Sequence, residues 1–362
     1  MGIRPVAEIE TLNYQIMMNL NTSTEAPNTT ETAIGFIPCY RLPFLSLYQI
    51  DVLEGLKNIP DKSQDLIIAD PPYYKAINES WDKQWKTEEE YLDWCKQWFN
   101  ECVRVLKDTG SFYCYGNFDI LSKQKVLIFD KHLNFRQNIT LNKGLKSIAG
   151  RTSDKLRMFP TASENLLYFV KQGGYDDRFL MADAFIKTRE YLNSELSKSK
   201  LTIGDVSKLC GFSEKSNSSS VCFWFTSKYA LMIPKKHYEI LQNNTNCFLM
   251  SYNELKQMYN SEKIIYKKSR YNFNLPTETT DVWDFTPDKV RYGHPTQKPQ
   301  DICQRIIKAS SNENDNVLIP FAGSGSEIVG CKELKRNCIA FEIESKYIDI
   351  IKQRTKDAGK LF

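Results

Sequence analysis

The stretch that most constrains this chain is Leu66-Ile-Ile-Ala-Asp-Pro-Pro-Tyr73, where a continuous apolar run stops at a carboxylate, two prolines and an aromatic ring. Such a run reads as a buried strand with its chemistry gathered at the carboxyl end. Pro71 and Pro72 donate no backbone hydrogen bond and hold φ fixed, so the chain leaves the sheet rigidly. The Asp70 carboxylate and the Pro71 carbonyl can then face one pocket. Two adjacent acceptors suit an amino group, and Tyr73 offers a flat face on which a base can stack. The competing reading is an ordinary strand end followed by a proline turn.

The text on either side alternates strand and helix. Leu45 to Ile50 reads as a strand ending at Asp51, Val52 to Ile59 as a short helix, and Asp65 to Ala69 as the next strand. Thr87-Glu-Glu-Glu90 is a capping box, after which Tyr91, Trp94, Cys95, Trp98, Cys102, Val105 and Leu106 recur at helical spacing. That aromatic stripe is read as core. Gly110 closes the connection, Ser111 to Tyr115 alternates as a strand, and Glu164 to Val170 resumes the sheet before Gly173-Gly174. Interleaving of this kind predicts an α/β fold with a largely parallel sheet.

The middle of the chain differs. Residues 177 to 270 are rich in Ser, Lys and Asn and carry no strand pattern, so they read as a mostly helical insertion between a half at 41–176 and a half at 271–362, with 1–40 as a polar arm or linker. Thr202 caps a helix bearing Ile203, Val206 and Leu209, Gly211 makes a turn, and Val221 to Lys228 forms a second helix. A helix-turn-helix and a plain packing hairpin both fit. Two basic stretches bracket the insertion: Lys143, Lys146, Arg151, Lys155 and Arg157 before it, and Lys263, Lys267, Lys268 and Arg270 at its end. They are candidate phosphate contacts, with a solvated surface as the alternative.

The final eighty residues return to α/β text. Asn316-Val-Leu-Ile-Pro-Phe-Ala-Gly-Ser-Gly-Ser326 is a strand, a glycine turn and a helix start, and Asn337 to Ile343 is a strand ending in acids. Gly323 and Gly325 let backbone approach a ligand, and Glu342, nineteen residues after Gly323, is placed to accept from both hydroxyls of a ribose. No Gly-Lys-Ser/Thr phosphate loop accompanies the turn. Ten cysteines without a Cys-x-x-Cys pair and three histidines (His132, His237, His294) build no zinc-ligand spacing, so no metal is expected. No stretch approaches the roughly 18 apolar residues of a membrane span. The amino terminus lacks a secretory pattern, which points to the cytoplasm. The net charge of +4 is compatible with a polyanionic partner without identifying one.

Taken together, Asp70-Pro-Pro-Tyr73, His294-Pro-Thr-Gln-Lys-Pro299 and Pro320-Phe-Ala-Gly-Ser-Gly-Ser326 resemble, in word and in order, the β group of S-adenosylmethionine-dependent DNA amino-methyltransferases. The resemblance implies a circularly permuted, Rossmann-like methyltransferase fold with a target-recognition insertion, acting on adenine N6 in double-stranded DNA. Asp70, Pro71, Pro72 and Tyr73 would be catalytic. Phe321, Gly323, Ser324, Gly325, Ser326 and Glu342 would hold S-adenosylmethionine together with Asp70, with His294, Thr296 and Lys298 beside its methionine end and Asp51 near its adenine. A homodimer and a cognate restriction enzyme are left open. Methylation of cytosine N4 or of RNA adenine is the runner-up, and a non-catalytic DNA-binding regulator is the reading from another class. One position departs from the family: Ile319 stands where an acid usually helps hold the cofactor's ammonium group, a task left to Asp70 or a backbone carbonyl.

Overall fold

Alternation of buried strands and amphipathic helices dominates the computed structural model. It describes residues 36–75, 79–148, 157–171, 185–212, 218–225, 231–268, 270–274, 279–285, 288, 290, 292–295 and 297–358, without the side chains of 80, 145–146, 218–220 and 267–268. Residues 1–35 of the expected arm and the Gly173-Gly174 boundary lie outside the described residues, while Tyr40, the last residue assigned to that arm, already belongs to the first strand of the sheet.

Among the described residues nine strands form one sheet: β1 (Tyr40–Leu42), β2 (Leu45–Gln49), β3 (Gln64–Ala69), β4 (Leu106–Gly116), β5 (Asn134–Asn142), β6 (Ser163–Val170), β7 (Val282–Asp284), β8 (Asn316–Ile319) and β9 (Asn337–Glu342). Their order is β1-β2-β9-β8-β3-β4-β6-β5-β7. From β2 to β4 every pairing is parallel, whereas β6 runs against both β4 and β5. The last two strands of the chain thus sit between the early strands β2 and β3, which is the permuted arrangement. β8 connects outward to β9 and β3 connects outward to β4 on the other side, so the carboxyl ends of β8 and β3 flank a topological switch point, where open α/β sheets bind ligands.

The helices that matter for the site are α1 (Val52–Lys57), capped by the Asp51 carboxylate at Leu53 N (2.9 Å), and α2 (Glu88–Val105). Tyr91, Cys95, Trp98, Phe99, Cys102 and Val105 of α2 are buried. Its cap is half of the expected box: Thr87 Oγ1 accepts from Glu90 N, but the Glu90 carboxylate reaches back to Lys86 N rather than to Thr87. α3 (Phe118–Leu127) follows β4. The insertion holds α4 (Ile186–Ser199), α5 (Ile203–Leu209), α6 (Ser218–Phe225), α7 (Lys235–Asn244) and α8 (Tyr252–Lys268), packed around a core of their own that includes Val206, Trp224, Tyr238 and Phe248. Thr202 and Asp205 form the reciprocal capping box of α5, and Gly211 turns with φ +79°. α6 begins three residues earlier than expected and is described to Phe225, while Lys228 lies outside the described residues. α9 (Gln300–Ser310), α10 (Ser326–Glu333) and α11 (Ser345–Asp357) complete the second half.

Two expectations are corrected. Ser111 to Tyr115 does not alternate, because β4 is a central strand buried on both faces from Gly110 to Gly116, and Gly110 lies inside it. β5 was not anticipated at all: Asn134-Phe-Arg-Gln-Asn is polar, and it forms a strand because β6 and β7 pair with it on either side.

Candidate active site

A cavity of about 380 Å³ opens at the carboxyl ends of β2, β9, β8 and β3, a size typical of small-molecule sites. Asp51 lines it after β2, Glu342 at the end of β9, Phe321, Gly323 and Ser324 after β8, and Asp70 to Tyr73 after β3, with His294 and Lys298 on the remaining wall. Residues widely separated in the chain meet there because parallel strands point their carboxyl ends the same way.

At the Asp70 end, Lys298 is the organising group. Its Nζ lies 3.1 Å from Asp70 Oδ1 and 3.4 Å from Glu164 Oε2, and it donates to the Tyr73 hydroxyl at 2.7 Å. That hydroxyl in turn donates to Asp70 Oδ1 at 2.7 Å. The lysine is 5% exposed, and burial works against its charge, but Asp70 and Glu164 hold its pKa above the usual lysine range. Burial would raise Glu164 too; Lys298 and Lys143 overcome this and bring it down to about 2. Burial pushes the Asp70 carboxyl up, opposed by Lys298 and the Tyr73 hydroxyl. Directly after the motif, Tyr74 and Lys75 both take left-handed φ (59° and 58°), so the lip of the cavity is a sharply bent, strained turn. Tyr91 Oη of α2 donates to the Pro72 carbonyl at 2.6 Å and fixes its start.

At the other end, the glycine turn supplies close backbone. Gly323 (φ +49°) donates its N–H to Glu342 Oε2 at 2.7 Å, and Glu342 Oε1 accepts from Glu344 N at 2.8 Å. Burial raises the Glu342 carboxyl to about 7. A Cβ at Gly323 would come within 3.2 Å of His294 Nε2. His294 packs against Tyr347 (4.4 Å between rings) and Trp81 (6.4 Å), and burial, with Lys298, Lys346 and Arg354 adding to it, lowers its pKa to about 4. It is therefore neutral near pH 7.

Not every expected residue faces the cavity. Gly325 and Ser326 stand behind its wall: Ser326 Oγ donates to the Lys298 carbonyl at 2.7 Å and accepts from Arg354 Nη1 at 2.9 Å, tying the turn to the Lys298 segment and to α11. Thr296 lies outside the described residues. Of the expected DNA contacts, Lys143 is redirected inward, its ammonium paired with Glu164 because that buried carboxylate draws it in. Arg157 is exposed beside the exposed Met158 and Phe159. Arg151 and Lys155, and the side chains of Lys146, Lys267 and Lys268, lie outside the described residues. Sequence reasoning missed Glu164, Trp81, Trp94 and Glu327. Trp94 was read as core, yet it lines the cavity and meets Phe321 at 5.7 Å. An acid opening an otherwise apolar strand was the available signal for Glu164.

The donor set suits a nucleoside attached to an amino acid. It offers an acid at the end of β9 for a ribose, apolar groups from Phe321, Ile50 and Ile343 for a base, and charged groups at the far end. A family model described as "DNA methylase" matches residues 64–353, most of the chain. The chain belongs to this DNA methylase family. Among relatives, the methylase is 25% identical over 311 residues to the type II methyltransferase M.HpaI of Haemophilus parainfluenzae, covering 84% of this chain and 72% of that one. It is 27% identical over 308 residues to the DNA adenine methyltransferase YhdJ of Escherichia coli strain K12, covering 82% and 78%. The solved M1.HpyAVI-SAM complex aligns with a TM-score of 0.46 at 19% identity, over 85% of the methylase and 98% of that chain. The family's methyl donor is S-adenosylmethionine, and DNA is the methylase's substrate. Among the described residues no helix is long and apolar enough to cross a membrane, and no group of three or more His, Cys, Asp or Glu is placed to hold a metal ion.

Proposed function

We propose that this methylase modifies the exocyclic N6 of adenine in double-stranded DNA. The observation that carries the reading is the position of Asp70-Pro-Pro-Tyr73 at the end of β3, in one cavity with the glycine turn that follows β8. Adenine's amino lone pair is conjugated into the ring, which makes it a poor nucleophile. The Asp70 carboxylate and the Pro71 carbonyl would accept from its two N–H bonds and favour a tetrahedral nitrogen, a form of electrostatic preorganisation. Lys298, itself held by Glu164, and the Tyr73 hydroxyl keep Asp70 in place, and an Asp70 carboxylate oxygen would take the proton that the amine loses. Phe321, Gly323, Ser324, Glu342 and Asp51 would hold S-adenosylmethionine, which supplies an electrophilic methyl group. Reaching a base in duplex DNA requires flipping it out, and Tyr73 would stack on it.

The helical insertion would set the target sequence. Lys267 and Lys268 would contact phosphate, and Ser218, Ser219 and Ser220 would lie near base edges. The type II designation of M.HpaI supports a place beside a cognate restriction enzyme, and the family's substrate supports the cytoplasm as its place of action. The deciding experiment is incubation with labelled S-adenosylmethionine and DNA lacking adenine methylation, followed by nucleoside analysis. N6-methyladenine is expected; N4-methylcytosine as the product would overturn the assignment.

A further inference from the structure

Where the family resemblance expects an acid, this chain has Ile319, and another acid lines the cavity nearby. Ile319 ends β8 and is 1% exposed; after the turn from Pro320 to Gly325, Glu327 is the second residue of α10. Its side chain lines the cavity although the residue is only 4% exposed. Acids are almost never this buried without a partner. Among the described residues Glu327 makes no ion pair. Oε1 accepts from the Cys303 thiol at 3.4 Å, a weak donor.

The neighbouring cations are engaged elsewhere. Lys298 serves Asp70 and Glu164, and Lys143 serves Glu164 from its other side. Arg354 donates to the Ser324 carbonyl and hydroxyl and to Ser326, and faces Asp288 at 3.9 Å. Of the carboxylates Asp70, Glu164, Asp288 and Glu327, Glu327 is therefore the one that no cation of this group pairs with. Burial raises the Glu327 carboxyl, with Asp70 pushing the same way and Lys298 opposing them, while the first turn of a helix favours the ionised form.

We propose that Glu327 takes over the task of the acid absent at Ile319 and accepts from the ammonium group at the amino-acid end of the methyl donor. This rests on reading the cavity as the S-adenosylmethionine site. The amino group would give Glu327 the cationic partner it lacks, and Glu327 would act as a cofactor-positioning residue without touching the target base.

The test compares calorimetric binding of S-adenosylhomocysteine and of its analogue lacking the α-amino group, in the wild-type protein and in Glu327→Gln. A hydrogen bond to a charged group predicts that wild type prefers the amino compound by about tenfold or more, and that Glu327→Gln lowers this preference to about twofold. Should Glu327→Gln fail to fold by circular dichroism, Glu327→Asp carries the same comparison with a preference reduced about threefold or more. An unchanged preference in the folded variant would overturn the proposal while leaving the cofactor site standing. A wild-type protein that binds neither compound would overturn both.

Discussion

The Lys298 ammonium is shared between Asp70 Oδ1, at 3.1 Å, and the Tyr73 hydroxyl, at 2.7 Å, although 225 residues separate Lys298 from that tyrosine. The pairing joins the two halves of the permuted sheet at the point where chemistry is expected. It also makes the two residues separable by experiment. Lys298→Met would leave Asp70 and Glu164 without their shared cation, and removing one partner of a buried pair costs about 3–5 kcal/mol of stability. Urea denaturation measures this. Asp70→Ala should leave the protein folded and lower methyl transfer by about a hundredfold or more, because it deletes an acceptor used chiefly in the transition state. Turnover near wild type in Asp70→Ala would exclude the mechanism.

Glu342 predicts a pH dependence whose sign follows from its raised pKa. The folded protein holds this proton up to about pH 7, whereas an unfolded glutamate releases it near pH 4.3 (roughly). Between these values the native state binds more protons than the unfolded state, so this group's contribution to stability falls as pH rises through the window and is level above it. Cofactor binding should run the other way. A carboxylate that accepts from ribose hydroxyls must be ionised, so affinity for S-adenosylhomocysteine should rise from pH 6 to pH 8, and Glu342→Gln should flatten that rise. His294, at about 4, is already neutral over this range and adds no slope.

The glycine turn tolerates little. Gly325 holds φ +78°, and a Cβ there would lie 2.8 Å from Ile351 Cγ1 of α11. Gly325→Ala therefore combines a strained backbone with an overlap against a packed helix. It should destabilise the protein by more than about 1 kcal/mol. A thermal melt at or above that of wild type would show that the turn relaxes more easily than its packing implies.

How much of this was readable beforehand depends on the kind of signal. Asp70 to Tyr73, the glycine turn and Glu342 are local words whose side chains are fixed by the strand they end, so their convergence follows once the strands are parallel. β3, β8 and β9 were legible within a residue because each is a short apolar run ended by a polar residue or proline. β5 was not, since its pattern is polar and neighbours on both edges decide it. Lys143 shows the other limit. In sequence it is one cation in a basic loop, and only the fold brings it to Glu164. Glu327 likewise has no local mark beyond standing directly after Ser326; its meaning comes from burial and from which cations are already engaged.

Tyr73 has two roles that one substitution cannot separate. Its ring packs against the sheet core at the edge of the cavity, while its hydroxyl donates to Asp70 and accepts from Lys298. Tyr73→Ala removes both and should weaken binding of target DNA by about 1–3 kcal/mol, the worth of one base–aromatic stack. Tyr73→Phe keeps the ring, so DNA affinity should return to near wild type. It deletes the donor to Asp70, however, and the lysine would then hold that carboxylate alone. The turnover number should stay below wild type, and its pH profile should shift, because the Asp70 carboxylate loses a hydrogen bond that opposes its upward displacement. Measuring KM for DNA and kcat across pH for the two variants separates stacking from orientation. Equal DNA affinity in the Ala and Phe variants would remove the stacking role, and an unaltered pH profile in Phe would remove the role of the hydroxyl.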